Sequence, residues 1–230
     1  RKTAQAAPAV ADFRANGWYW NPAESGTGFM FEAQGTRGFV AFFMYEEGTG
    51  KPLWYASEGG AGSFVAREDG SFEYSGELRY YTNGQPAWSG AYVSPSSTLV
   101  GPVTMRFVGN DVTVAFPGGR TQRATRFDFN GLGGVPKANQ PETGWYWNPA
   151  EGGRGWAVEV QNDRVFMAMF HYNPDGTPTW NVLEGDMAGG TVRDTFALYG
   201  GGQTLTSTYR PGYSGTRYEA GTYAMSFRNP

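Results

Sequence analysis

The sequence predicts an all-β protein of two tandem antiparallel barrel- or sandwich-like units, the second shorter by about two strands. Three observations carry this. Apolar residues alternate over short stretches bounded by Gly, Pro, Asn and Asp, the pattern of strands joined by turns. The 230 residues include 35 Gly, 8 Trp, 14 Tyr and 16 Phe, but only 7 Leu and no Ile. A core of rings, Met and Val follows, not a Leu-rich helical one. Finally, Gly17-Trp-Tyr-Trp-Asn-Pro-Ala-Glu24 recurs as Gly144-Trp-Tyr-Trp-Asn-Pro-Ala-Glu151, and with a shift of 127 residues 17–34 match 144–161 at 12 of 18 positions.

Taken in order, residues 1–16 form an N-terminal extension. Residues 17–129 are the first unit, 130–143 (rich in Gly, Pro and Asn) the linker, and 144–230 the second unit. In the first unit, Phe39–Tyr45 sets rings and Met on both sides of a buried strand. Glu73–Tyr81, Thr98–Val108, Asp111–Phe116 and Arg120–Phe129 read as further strands. In the second, Trp156–Val160 and Arg164–Tyr172 repeat the alternation. Asn173-Pro-Asp-Gly176 is a turn, because Pro fixes φ and Gly supplies a positive φ. Asn21–Ser25 and Asn148–Gly152 each allow one helical turn, with Asn as cap and Pro at the first position. The match resumes at Pro52/Pro178, Trp54/Trp180, Glu58/Glu184, Tyr81/Tyr199 and Gly84/Gly202, and closes on Gly101/Gly221, Met105/Met225 and Phe107/Phe227. Segments 111–129 have no counterpart in the second unit.

Composition narrows the function. With no Cys and a formal net charge of −3, there is no disulfide framework, thiolate site or electrostatic footprint for nucleic acid. Apolar runs are strand-length, so no membrane-spanning helix is expected. No apolar segment follows Arg1-Lys2, so no signal peptide is expected in these residues. Neither a cofactor nor a metal site is expected, since the chain has a single His, His171.

The repeat resembles a module of exported bacterial proteins with a pattern close to G-x-W-W-N-P-x-E-S-G-x-G, followed by an aromatic strand and Y-x-x-x-G-x-P-T-W. Here it reads Gly17 to Gly28, then Tyr45 and Pro52-Leu53-Trp54. In the second copy Gly152 replaces Ser25, and Thr179-Trp180 closes the pattern. The resemblance implies an extracellular or cell-surface protein and no particular activity. A looser likeness is to avidin-type barrels, which open with a Gly-Trp-Tyr-Asn strand and a Gly-Ser turn; no ligand residues are carried over from it.

Six tryptophans are the candidate ligand face: Trp18, Trp20, Trp54, Trp145, Trp147 and Trp180. Residues two apart on a strand share a face, so Trp18/Trp20 and Trp145/Trp147 can stack a sugar or another planar ligand. The competing reading, which repetition favours, is that they fill a core. Glu24/Glu151 and Glu32/Glu159 could serve glycoside chemistry; acceptors of backbone N–H groups or partners of Arg are the plainer roles. His171 aligns with Met44 and lacks a Ser nucleophile motif, so packing is expected. Arg120, Arg123 and Arg126 cluster near the end of the first unit, where ring stacking and carboxylate pairing are expected.

The unmatched strands leave a sheet edge to be paired. The N-terminal segment of one chain, with Ala9, Val10, Ala11 and Phe13, is the expected donor strand for the next chain's second unit. Tyr223, Met225 and Phe227 line the receiving face. That contact repeats head to tail as a homopolymer. The expected function is a non-enzymatic extracellular structural or assembly protein. The alternative is a secreted module binding a glycan or planar ligand, with a glycan-active enzyme third.

Overall fold

A computed structural model describes residues 15–88, 91–131, 142–211 and 218–228, with the side chains of 218–220 left aside. The donor residues Ala9, Val10, Ala11 and Phe13 lie outside the described residues, as does most of the linker.

The protein is all-β and consists of a closed barrel and a separate sheet. The first unit contains β1 (Gly17–Trp20), β2 (Gly28–Gln34), β3 (Arg37–Tyr45), β4 (Pro52–Glu58), β5 (Phe64–Ala66), β6 (Phe72–Thr82), β7 (Ser96–Val108), β8 (Asp111–Ala115) and β9 (Thr121–Arg126). Their order is β4-β3-β2-β1-β9-β8-β7-β6-β5, and pairing of β4 with β6 closes eight of them into a barrel. The second unit contains β10 (Gly144–Tyr146), β11 (Gly155–Gln161), β12 (Arg164–Tyr172), β13 (Pro178–Ala188), β14 (Thr191–Leu198) and β15 (Tyr218–Ser226), which form one six-stranded sheet in chain order. The β1–β2 register, Gly17 opposite Phe31, recurs in β10–β11 as Gly144 opposite Val158.

Alternation decides what each strand buries. On β3, Val40, Phe42 and Met44 point into the barrel with Tyr19, Phe29, Phe31, Tyr74, Met105 and Phe107. The intervening Ala41 and Tyr45 face outward but are buried too, because that side meets the sheet. There Trp18, Met30, Ala41, Tyr45, Trp54 and Ala56 pack on Ala157, Ala168, Phe170, Tyr172, Trp180, Val182 and Ala197. Each large side chain buried here contributes about 1.5–3 kcal/mol. The seam is therefore a second core rather than a loose docking surface. A third cluster, with Val158, Val160, Met167, Leu183 and Phe196, lies on the sheet's other face.

Contacts across the seam come in matched pairs. The Trp54 indole N–H donates to the His171 carbonyl at 3.1 Å, and that of Trp180 to the Met44 carbonyl at 3.2 Å. The Asn83 amide donates to Gly176 O, and the Gly201 amide to Gly50 O, both at 2.7 Å. Gly84 lies under the Tyr172 ring and Gly202 under the Tyr45 ring, and an added Cβ would come within 2.0 and 2.1 Å of those rings. No larger residue fits either place.

Residues Pro149–Glu151 form a 3-10 turn, with the Asn148 side chain accepting from Ala150 N. Asn21 accepts from Ala23 N in the same way. The turn at 173–176 closes by a 2.9 Å bond from Gly176 N to Asn173 O, with Gly176 at φ 82°. Arg120–Phe129 is not one strand: β9 ends at Arg126. Beyond it the chain leaves the barrel, because Phe127 and Phe129 pack on Phe166 of the sheet.

Candidate functional site

A cleft of about 510 Å3 opens between the barrel and the sheet. Its floor holds Ala41, Trp54, Ala56 and Phe170, and its walls hold Glu32, Gln34, Phe39, Tyr81, Trp145, Trp147 and Arg154. Trp54 and Tyr81 stack at 5.1 Å, and Phe39 meets Trp145 edge-on at 4.9 Å. The cleft is thus an aromatic trough bordered by two carboxylates (Glu32, Glu58), an amide (Gln34) and two guanidiniums (Arg37, Arg154). Apolar walls with a few convergent polar groups are the usual form of a binding site.

The six candidate tryptophans divide. Trp18 and Trp180 are buried in the seam, as is Trp54 except where it floors the cleft. Trp20 is half-buried and packs on Phe127 at 5.2 Å. Trp145 is half-buried, and Trp147 stands 61% exposed. The structure therefore brings Trp54, Trp145 and Trp147 to one cleft and withdraws Trp18 and Trp180 into packing.

Glu32 and Glu159 do what the plainer reading expects, but across the seam. Glu32 Oε2 accepts the Trp145 backbone N–H at 2.7 Å, and Glu159 Oε2 accepts that of Trp18 at 2.6 Å. Gln34 donates to Glu32 Oε1 at 2.8 Å, and Gln161 to Glu159 Oε1 at 3.0 Å. Among the described residues, only Glu159 of the two also pairs with an arginine: Arg126 Nη2 lies 2.5 Å from its Oε1, with both side chains 1% exposed. Burial pushes the Glu159 carboxyl up, while Arg126, the Trp18 N–H and Gln161 pull it back.

The remaining candidates have structural partners. Glu151 pairs with Arg154 at 2.6 Å, and Arg154 also donates to the carbonyls of Pro86 and Ala87. Glu24 is half-buried in its turn. Arg120 stacks over Phe116 and donates to the Leu205 carbonyl at 3.0 Å, Arg126 stacks over Tyr19, and Arg123 is exposed.

His171 is 1% exposed, and burial lowers its pKa. Its Nδ1 lies 3.1 Å from the Tyr172 carbonyl and its Nε2 2.6 Å from the Asn181 side chain. The Nε2 partner is Asn181 Oδ1, and a neutral ring donates to only one of these two acceptors. Trp88 covers the ring at 5.3 Å. His171 is a packed, hydrogen-bonded core residue.

Tyr223 and Met225 on β15, and Phe227 just past its end, are half-buried, and Tyr223 packs on Phe196 at 4.7 Å. Sequence reasoning missed Gln34, Phe39, Tyr81 and Arg154 as cleft residues. For Gln34 a signal was present, because Glu-x-Gln repeats at 32–34 and 159–161. No protein-family model, curated protein or solved structure matches the chain.

Proposed function

We propose that this is a non-enzymatic assembly protein that accepts a β-strand from another chain on the open edge of its six-stranded sheet. The observation that carries the reading is a difference between two matched strands. β1 pairs on both sides, with β2 and β9. Among the described residues, β10 pairs only with β11. On this reading the second unit is a shortened copy of the first, lacking the equivalents of β8 and β9. A vacant ladder position beside an apolar cleft is the arrangement that strand addition uses. β15 is the sheet's other edge, and Tyr223, Met225 and Phe227 line the face that an added strand would extend.

In the homotypic form, the donor is the 1–13 segment of the next chain, and the head-to-tail contact propagates as an open filament. Likeness of the repeated motif to exported bacterial modules supports an extracellular or cell-surface setting. The test is size-exclusion chromatography with light scattering on the full chain and on a chain lacking residues 1–13. Concentration-dependent polymer lost on truncation is the expected result; a monomer at every concentration that also takes up no added strand refutes the reading.

A second reading has its own support. The exposed Trp147 and the stacked Trp54–Tyr81 pair form a trough into which a sugar or another planar ligand fits. Quenching of tryptophan fluorescence by a glycan in a clean monomer, abolished by Trp147→Ala, would favour it.

A further inference from the structure

We propose that the cleft beside β10 is a receptor for an extended peptide in which an arginine is followed by two aromatics in alternation, Arg-aromatic-x-aromatic. The inference rests on strand addition at this edge but assigns it a different donor, a partner chain, since residues 1–13 carry no arginine followed by alternating aromatics. It is drawn from a second, occupied version of the same site within the molecule.

The occupied version lies at β1. Residues 126–130 run past it after leaving β9, and each of their recognition groups has a named acceptor. The Phe127 amide donates to the Trp18 carbonyl at 2.9 Å, extending the ladder. The Arg126 guanidinium reaches Glu159 and the Asn16 carbonyl. Gln161 brackets the backbone, donating to Phe127 O at 2.9 Å and accepting from Phe129 N at 3.2 Å. Phe127 packs on Trp20 and Phe166, and Phe129 on Phe166. Gly17 leaves room for the guanidinium, since a Cβ there would lie 2.0 Å from Arg126 Nη1.

The receptor groups recur 127 residues away around β10, which carries no second strand among the described residues. Glu32 and Gln34 stand for Glu159 and Gln161, with the same hydrogen bonds to a Trp amide and to each other. Phe39 stands for Phe166, and its ring contact with Trp145 repeats that of Phe166 with Trp18. Trp147 stands for Trp20, but its ring is 61% exposed where Trp20 is covered by Phe127. Gly144 stands for Gly17, and the nearest atom to its absent Cβ is Glu32 Oε2 at 3.4 Å. Among the described residues the guanidinium cradle is therefore built and open. Glu32, Gln34, Phe39, Trp145 and Trp147 line the cleft.

The chemistry then selects the ligand. A carboxylate flanked by a glycine hollow matches a guanidinium. A side-chain amide two residues on matches a peptide backbone, and Trp147 with Phe39 matches an alternating aromatic pair. The edge of β10, unpaired among the described residues, matches an extended strand. A sugar ring would use the aromatics but not the ladder edge.

The probe is a labelled peptide of residues Thr121–Asn130 (TQRATRFDFN), titrated against the full chain by fluorescence anisotropy. Saturable one-to-one binding is expected. Replacing the peptide's arginine equivalent to Arg126 with Met weakens binding by about tenfold or more, as for a desolvated charge pair. Glu32→Gln in the protein weakens it similarly, and the two changes together cost no more than either alone. Trp147→Ala weakens binding by about tenfold with the melting temperature unchanged. No binding, equal binding of the Arg and Met peptides, or indifference to Trp147→Ala would overturn the inference. A peptide of residues 1–14 binding as tightly as TQRATRFDFN would also overturn it while leaving strand addition intact. So would a polymer lost on deletion of 1–13 together with no peptide binding. Absence of both polymer and peptide binding removes the two readings together.

Discussion

Arg126→Met isolates the buried ion pair that joins the barrel to the sheet. The change keeps most of the apolar stem and removes the guanidinium from Glu159, from the Asn16 carbonyl and from the face of Tyr19. Both charged side chains are almost fully buried, so water cannot replace the lost partner. Breaking one side of such a pair costs about 3–5 kcal/mol. For a chain of this length, a loss of about 2–4 °C per kcal/mol lowers the melting temperature by roughly 6–20 °C.

The effect also has a pH signature. In the variant, burial of Glu159 is opposed only by the Trp18 N–H and Gln161, so its folded pKa rises further above the ordinary value of 4.5. Between those two values the folded state binds more protons than the unfolded one. Stability from this group is then fully present below 4.5 and is lost as pH rises through the folded value, by up to about 1.4 kcal/mol per pH unit. Denaturant titrations at pH 5 and pH 8 should show the larger penalty at pH 8. Adding Glu159→Gln, which keeps an acceptor for the Trp18 N–H, should recover part of the loss. A penalty under about 1 kcal/mol, or one equal at both pH values, would refute the reasoning.

Other outcomes follow from the seam. Gly84→Ala and Gly202→Ala each drive a methyl into a buried tyrosine ring and should cost about 1–3 kcal/mol or more, read by urea denaturation. Trp54→Phe and Trp180→Phe each strip the donor from a buried carbonyl, at His171 and Met44 respectively, and should cost similar amounts of about 1–3 kcal/mol. A large effect from one and none from the other would contradict the matched contacts. Burial holds the His171 pKa below its ordinary 6.5, so its stability contribution is present above pH 6.5 and lost as pH falls through the folded value. His171→Met, which installs the residue found at matched position 44, should flatten the acid side of the stability profile relative to the parent chain.

Much of the architecture was legible in the sequence. The strand-and-turn punctuation marks many of the elements, and β8 and β9 fall within the alternating segments 111–116 and 120–129, although β9 stops at Arg126. Alternation does not say which face meets the barrel interior and which meets a partner, because β3 is apolar on both sides. Phe127 and Phe129 show this limit: their period of two continues that of β9, yet they serve the sheet. The tryptophans were ambiguous for the same reason, since a ring that fills a seam and a ring that stacks a ligand have one signature. Glu32 and Glu159 look alike in sequence and differ in space through burial, complete at Glu159 and partial at Glu32, and through Arg126, which lies in the segment without a counterpart.

A cross-link tests the strand-accepting cleft most directly. The chain has no Cys, so one introduced by Gln34→Cys reports unambiguously. In the occupied site, Gln161 lies against the backbone of Phe129. A TQRATRFDFN peptide with Cys at the Phe129 position should therefore form a disulfide with Gln34→Cys rapidly. It should not do so with a control Thr113→Cys on the exposed barrel wall. Equal trapping at both positions, or none at Gln34→Cys, would contradict the claim that the cleft beside β10 receives a strand.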